Sequence, residues 1–282
     1  MSQRWLITGC SRGLGRALAE AVLQAGHRLV ATARDPAPLA DLAQRHGDAV
    51  RLAALDVADA DAADAAVRLA GQAFGGLDVL VNNAGYGNVN SVEDTTLDDF
   101  RRQIETNLFG TIIVTKAAVP LMRKQRSGHV IQFSSVGGRL GAPGRAPYSA
   151  AKWGVEGFSE VLAREMALVG VKVSIVEPGG FRTDFAGAST VLEEGRAEYD
   201  AVVGAAARMQ RDYHGRQPGD PARAARAILA LAALERPPLR LALGSDAVAA
   251  IAQAERARLA ELEQWRELSV STDFPEPGRP FR

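Results

Sequence analysis

Cysteine is almost missing from this sequence. One thiol, Cys10, in 282 residues excludes an internal disulfide framework and any metal site built from several thiolates. Net charge is missing too: 33 Lys+Arg balance 33 Asp+Glu. A chain that tracks nucleic-acid phosphates carries a basic excess, so no nucleic-acid partner is expected. No apolar run approaches the roughly 18 residues of a membrane span, and the N-terminus enters a strand pattern at once, without a basic–apolar–small leader. The four histidines, His27, His46, His129 and His214, lack ligand spacing. Asp56, Asp59, Asp61 and Asp64 fall at a strand end and a helix start, where carboxylates suit the helix dipole. No metal is therefore expected. Repeats, low-complexity tracts and Pro/Gly-rich linkers are absent as well. The reading is one domain over 1–282, soluble and cytoplasmic, without disulfides.

What is present is a regular alternation of short apolar runs and longer amphipathic stretches. Strands are predicted over 5–8, 28–32, 50–55, 78–81, 130–134, 171–176 and 239–243. Helices are predicted between them, including one long helix over 97–126, with Pro120 a candidate bend, and others over 148–169, 222–234 and 246–268. This order implies βαβ units: an α/β fold, a single doubly wound Rossmann-type domain whose parallel sheet carries helices on both faces. The stretch 183–216 is polar and weakly periodic, and it follows the sixth strand on the ligand side of such a sheet. It is expected to form a substrate-side flap. The C-terminal tail, 269–282, is expected to be irregular.

The run Thr8-Gly9-Cys10-Ser11-Arg12-Gly13-Leu14-Gly15 lies between the first strand and the first helix. Glycines there let backbone approach a pyrophosphate, and the helix N-terminus supplies N–H donors. Cys10 reads as a small loop residue. At the end of the second strand stands Ala33, where a carboxylate would bind a free ribose hydroxyl, and Arg34 follows it. With Arg12 this makes two guanidinium groups suited to a 2′-phosphate. NADP(H) is the expected cofactor, with NAD(H) possible if Asp35 turns toward the ribose instead.

Tyr148 and Lys152 stand four apart at the start of a helix, on one face. A nearby fixed cation favours tyrosinate and lowers a phenol's pKa. Ser135 ends the fifth strand, from where its hydroxyl can polarise a carbonyl. Together these segments resemble the short-chain dehydrogenase/reductases, over residues 5 to about 185. The glycine loop is similar to the family's cofactor loop, Asp56-Val57 to its adenine-side pair, and Asn82-Asn83-Ala84-Gly85 to its fourth-strand motif. Asn107, Ser135, Tyr148 and Lys152 match its catalytic tetrad. The run Pro178-Gly179-x-Phe181-x-Thr183 resembles the turn that holds the nicotinamide amide. A looser likeness, over 177–185 and 239–246, is to a bacterial hydroxysteroid-dehydrogenase-like branch.

The resemblance implies hydride transfer between nicotinamide and a carbonyl or alcohol carbon. Tyr148 would move the proton, Lys152 would lower its pKa and hold the ribose, and Ser135 would stabilise the oxyanion. Asn107 would position a water linking Lys152 to solvent. Tyr86, Val136, Leu140, Phe181 and Phe185 fall at strand ends beside the tetrad, which suggests a hydrophobic small-molecule ketone, aldehyde or secondary alcohol. Arg139 and Arg145 are candidate anchors for an anionic tail. The alternatives are an NAD-dependent alcohol or hydroxysteroid dehydrogenase and, more remotely, a nucleotide sensor without catalysis, which would be free to lose the tetrad. The family's usual contact between long helices implies a homodimer or homotetramer.

Overall fold

Apolar runs buried on both faces become the strands, and the amphipathic stretches between them become the covering helices. A computed structural model describes residues 2–187 and 190–274. In chain order the first half comprises β1 (Arg4–Ile7), α1 (Gly13–Gln24), β2 (Arg28–Ala33), α2 (Ala40–His46), β3 (Val50–Ala54), α3 (Ala60–Phe74), β4 (Val79–Asn82) and β5 (Gly87–Val89). Then come α4 (Leu97–Ile104), α5 (Gly110–Gln125), β6 (Gly128–Phe133), α6 (Ala146–Ala167) and β7 (Val171–Pro178). The chain continues through β8 (Thr190–Leu192), α7 (Ala205–Tyr213), α8 (Pro221–Ala233), β9 (Arg240–Leu243), α9 (Ser245–Gln264) and α10 (Arg266–Val270).

Seven strands form one sheet in the order β3-β2-β1-β4-β6-β7-β9, every pairing parallel. Successive strand residues point to opposite faces. Trp5 and Ile7 therefore enter a core with Leu18 and Val22 of α1 and Ile228 and Leu231 of α8. Leu6 enters the other, with Val67 of α3, Val114 and Met122 of α5, and Leu162 of α6. The strand order reverses between β1 and β4, which opens a crevice at the carboxyl ends of the strands. Asp59 caps α3 by accepting from the backbone of Asp61 and Ala62, the ordinary use of a carboxylate at a helix start. No described helix is long and apolar enough to cross a membrane.

Three elements depart from the sequence expectation. The helix predicted over 97–126 is interrupted by a π-turn at Glu105–Phe109, while Pro120 sits inside α5 without ending it. Within 183–216, β8 pairs with β5 and Val203 and Ala207 bury against Val89. Arg196 adds an ion pair to Asp94. The predicted helix over 246–268 ends at Gln264, and α10 follows Trp265. The tail expected to be irregular starts inside α10; its last residues, 275–282, lie outside the described residues.

Candidate active site

The site grows from the ends of β1, β4, β6 and β7. Thr8 and Asn83 brace the first two. Thr8 Oγ1 accepts from the backbone N–H groups of Asn83 and Ala84, each at 3.0 Å. Asn83 Nδ2 donates back to the carbonyls of Thr8 (2.9 Å) and Gly9 (3.1 Å). Gly15 must be glycine here, because a Cβ would collide with the Asn83 amide and the Gly9 carbonyl. Gly13 adopts φ +61°, and its open side faces Thr183, so the first glycine turn meets the turn after β7. Leu14 packs toward the core. Cys10 is wholly buried, its pKa pushed up to about 12 by that burial, and an inert thiol results.

Ser11, Arg12, Ala33, Arg34, Asp35 and Pro38 line a solvent-open cavity of about 530 Å³. The nearby Arg16 and Arg45 are occupied by Asp41 and Glu20. Arg12 and Arg34 have no carboxylate partner among the described residues. Asp35 Oδ1 accepts from the Ala37 N–H at 2.9 Å, so it caps the turn that follows. An open glycine cradle with two uncommitted guanidinium groups beside it fits a phosphorylated dinucleotide. Asp56 is exposed and accepts from Ala58 N–H at 3.0 Å, whereas Val57 is buried against Gly110.

Helix α6 carries Tyr148 and Lys152 inward, and both are buried. Lys152 Nζ donates to the Phe133 carbonyl at the end of β6 (2.8 Å) and lies 5.8 Å from the Tyr148 ring centroid. Burial lowers the Lys152 pKa to about 8, against the opposing pull of Glu156. Burial raises the Tyr148 phenol, while the Ser135 hydroxyl and the Arg145 charge lower it. Two cations therefore flank the phenol, Lys152 and Arg145 of the α6 N-terminus, the latter with its guanidinium carbon 6.0 Å from the ring centroid. Ser135 Oγ accepts from Gly137 N–H at 3.0 Å, and Gly137 leaves room for the tyrosine ring, since a Cβ there would lie 3.1 Å from Tyr148 Cε1.

Asn107 lies wholly buried in the π-turn, a widened turn of the kind that often marks functional sites. Its side chain is held at three points. Oδ1 accepts from Tyr86 N–H (3.0 Å), and Nδ2 donates to the Tyr86 carbonyl and to Gln103 Oε1 (both 2.8 Å). Gly85 stands between Asn107 and Lys152, with its vacant Cβ position 2.8 Å from Asn107 Oδ1 and 3.7 Å from Lys152 Nζ. Gln103 escaped the sequence reading, although its place one turn before Asn107 on the same helix face was a usable signal.

The apolar residues chosen from the sequence divide. Phe185 packs against Tyr148, ring centroids 5.7 Å apart. Phe181 pairs with Gly219 and packs on the core that α1 and α8 share. Tyr86 is tied through its backbone to Asn107, and burial raises its phenol pKa. Val136 and Leu140 bracket a short turn after Ser135, where the Leu140 N–H reaches the Val136 carbonyl. The turn after β7 is braced by a residue not singled out beforehand: Asp246 Oδ2 accepts from Gly180 N–H at 2.7 Å, while Gly179 N–H reaches the Leu243 carbonyl at 2.9 Å.

Residues 3–192 match a family model described as short chain dehydrogenase. The Oxidoreductase BOA17 of Botryotinia fuckeliana is 46% identical over 273 residues, covering 96% of this chain and all of that protein. A short-chain dehydrogenase from Streptomyces avermitilis superposes with a TM-score of 0.90 at 41% identity, over 96% of this chain and 98% of that one. An alcohol dehydrogenase from Thermococcus sibiricus, solved with 5-hydroxy-NADP, gives a TM-score of 0.70 at 25% identity, over 86% and 96% of the two chains. Over most of its length, then, the chain belongs to the short-chain dehydrogenase/reductase family, whose members bind NAD(P)(H), and it is an oxidoreductase acting on CH–OH or C=O groups.

Proposed function

We propose that this enzyme is an NADP(H)-dependent reductase of ketones or aldehydes carried on hydrophobic small molecules, acting in the cytoplasm as a homodimer or homotetramer. One observation carries the cofactor choice: Arg12 and Arg34 border one cavity without a carboxylate partner among the described residues, while Asp35 is engaged as a turn cap. The bound 5-hydroxy-NADP of the Thermococcus sibiricus relative is in keeping with this. Bound NADPH supplies the hydride.

The chain supplies binding, orientation and a proton. Arg12 and Arg34 take the 2′-phosphate, with Ser11 beside them; the Thr8–Gly15 loop takes the pyrophosphate. Asp56 and Val57 border the adenine, and Asn83, Ala84 and Gly85 line the floor. Pro178, Gly179, Phe181 and Thr183 hold the nicotinamide side. Tyr148 donates its phenolic proton to the developing alkoxide, and Ser135 stabilises that oxyanion. Lys152 holds the ribose and keeps positive charge behind Tyr148, with Asn107 ordering a water that links Lys152 to solvent. Phe185 supplies an apolar wall.

A panel of ketones and alcohols assayed with both nicotinamide cofactors tests the reading. Arg34→Ala is expected to raise the NADPH dissociation constant about tenfold, roughly 1.4 kcal/mol, and to leave NADH binding nearly unchanged. Ala33→Asp combined with Arg34→Ala is expected to prefer NADH. Asp35 borders the same cavity, and this favours a second reading, an NAD-dependent alcohol or hydroxysteroid dehydrogenase. Tighter binding of NADH than of NADPH by the unaltered protein selects that second reading.

A further inference from the structure

Arg139, Arg182 and Arg240 are already engaged. Arg139 is drawn to the buried Glu177 at 2.7 Å and to Glu255 at 2.8 Å, which removes it as an anion anchor. Arg240 is held by Glu156 at 2.9 Å and Glu160 at 2.6 Å. Arg182 donates to the Gln217 carbonyl at 2.7 Å. Arg145 differs. It is half-buried, with its guanidinium carbon 6.0 Å from the Tyr148 ring centroid. No described carboxylate lies in ion-pair range of it, and no described group accepts a side-chain hydrogen bond from it.

Arginine cannot shed its proton to escape burial. A desolvated ion without a partner is costly, and such groups cluster at functional sites. Burial pulls the Arg145 pKa below the ordinary arginine value, opposed only by Tyr148.

The surroundings specify what Arg145 can meet. The vacant Cβ position of Gly87 lies 3.5 Å from Arg145 Nη1, 3.3 Å from Phe185 Cζ and 3.3 Å from Thr190 Oγ1. The bare edge of β5 thus lets a planar cation and an aromatic edge converge beside the phenol. A guanidinium fork pairs best with a planar carboxylate, and the aromatic edge suits an apolar body.

We infer that the substrate is an oxo acid, or the matching hydroxy acid, whose carboxylate is held by Arg145 while its carbonyl faces Tyr148. This rests on the carbonyl-reductase reading above and narrows it to apolar oxo acids.

The test compares 3-benzoylpropionate with its methyl ester in NADPH-driven reduction. Calorimetry then compares 3-phenylpropionate with 3-phenylpropionamide on the NADP⁺-loaded protein. The acid is expected to exceed the ester in kcat/KM, and the amide in affinity, at least tenfold. Arg145→Met is expected to bring both ratios close to one, and Arg145→Lys, which keeps charge without the fork, to give intermediate ratios. Ratios near one in the unaltered protein overturn the inference, as does failure of both calorimetric probes to bind. Equal loss on acid and ester in Arg145→Met also overturns it, since Arg145 would then act only through the phenol. The underlying reading fails differently: NADPH does not bind, or no carbonyl compound, acid or neutral, is reduced.

Discussion

Two opposed influences meet on one phenol. Burial holds Tyr148 protonated, and Ser135 and Arg145 make its proton easier to release, which suits a group that donates a proton at neutral pH. Tyr148→Phe preserves the ring contact with Phe185 but removes the donor. Carbonyl reduction should fall at least ~100-fold, with NADPH affinity nearly unchanged; turnover close to that of the unaltered enzyme would sink the assignment. Lys152 adds a pH signature. Its pKa of about 8 means the ammonium is present below that pH and lost above it. The kcat/KM for reduction should be level at pH 6–7 and decline as the pH rises through about 8. Lys152→Arg, which stays charged, should remove that decline in whatever activity it retains. A profile flat to pH 10 in the unaltered enzyme would show that the lysine charge is not used.

Elements place these residues through contacts outside the site. The π-turn between α4 and α5 turns Asn107 toward the Tyr86 backbone, and Gln103 and Asn88 complete the brace. In the sheet beneath, His129 of β6 is buried and bonded to Ser174 of β7 at 3.0 Å, whose hydroxyl donates to the Pro238 carbonyl at 2.7 Å. Burial lowers the His129 pKa from 6.5 to about 4, with Lys172 adding to the fall. The folded chain therefore keeps this imidazole neutral where the unfolded chain protonates it. Its contribution to stability is complete above pH 6.5 and is lost as the pH falls toward 4. Urea unfolding at pH 7 and pH 5 should show His129→Leu losing about 2 kcal/mol less than the unaltered protein over that interval. Identical losses would mean that His129 titrates normally in the fold.

Across the whole molecule, the α4–α6 side leaves Leu97, Phe109, Trp153, Val161 and Leu168 exposed. Apolar side chains on neighbouring helices are the material from which symmetric contacts are made. Light scattering at micromolar concentration should give the mass of a dimer or tetramer, and a strictly monomeric mass would overturn that expectation. The 183–216 region is the other molecule-scale feature. Its parallel pairing of Gly87–Val89 with Thr190–Leu192 joins segments roughly a hundred residues apart, and the vacant Cβ position of Gly87 faces Arg145, Phe185 and Thr190 together.

The sequence alone marks out the seven strands of the sheet, because most of their residues pack against one covering layer or the other and read as short, largely apolar runs. It also determined the glycine loop, the Asp59 cap and the Tyr148–Lys152 pair, since these depend on residues within one turn or one helix of each other. Tertiary structure decided the rest. β5 and β8 are three residues each, too short to show a period, and exist only because they find one another. The widening of the helix at Asn107 answers to the Tyr86 backbone 21 residues away. Arg139 and Arg145 look alike in sequence. Arg139 is taken by Glu177 and Glu255, 38 and 116 residues further on, and Arg145 is left facing Tyr148. Which charges pair is settled by distance in space, and local spacing carries no record of that distance.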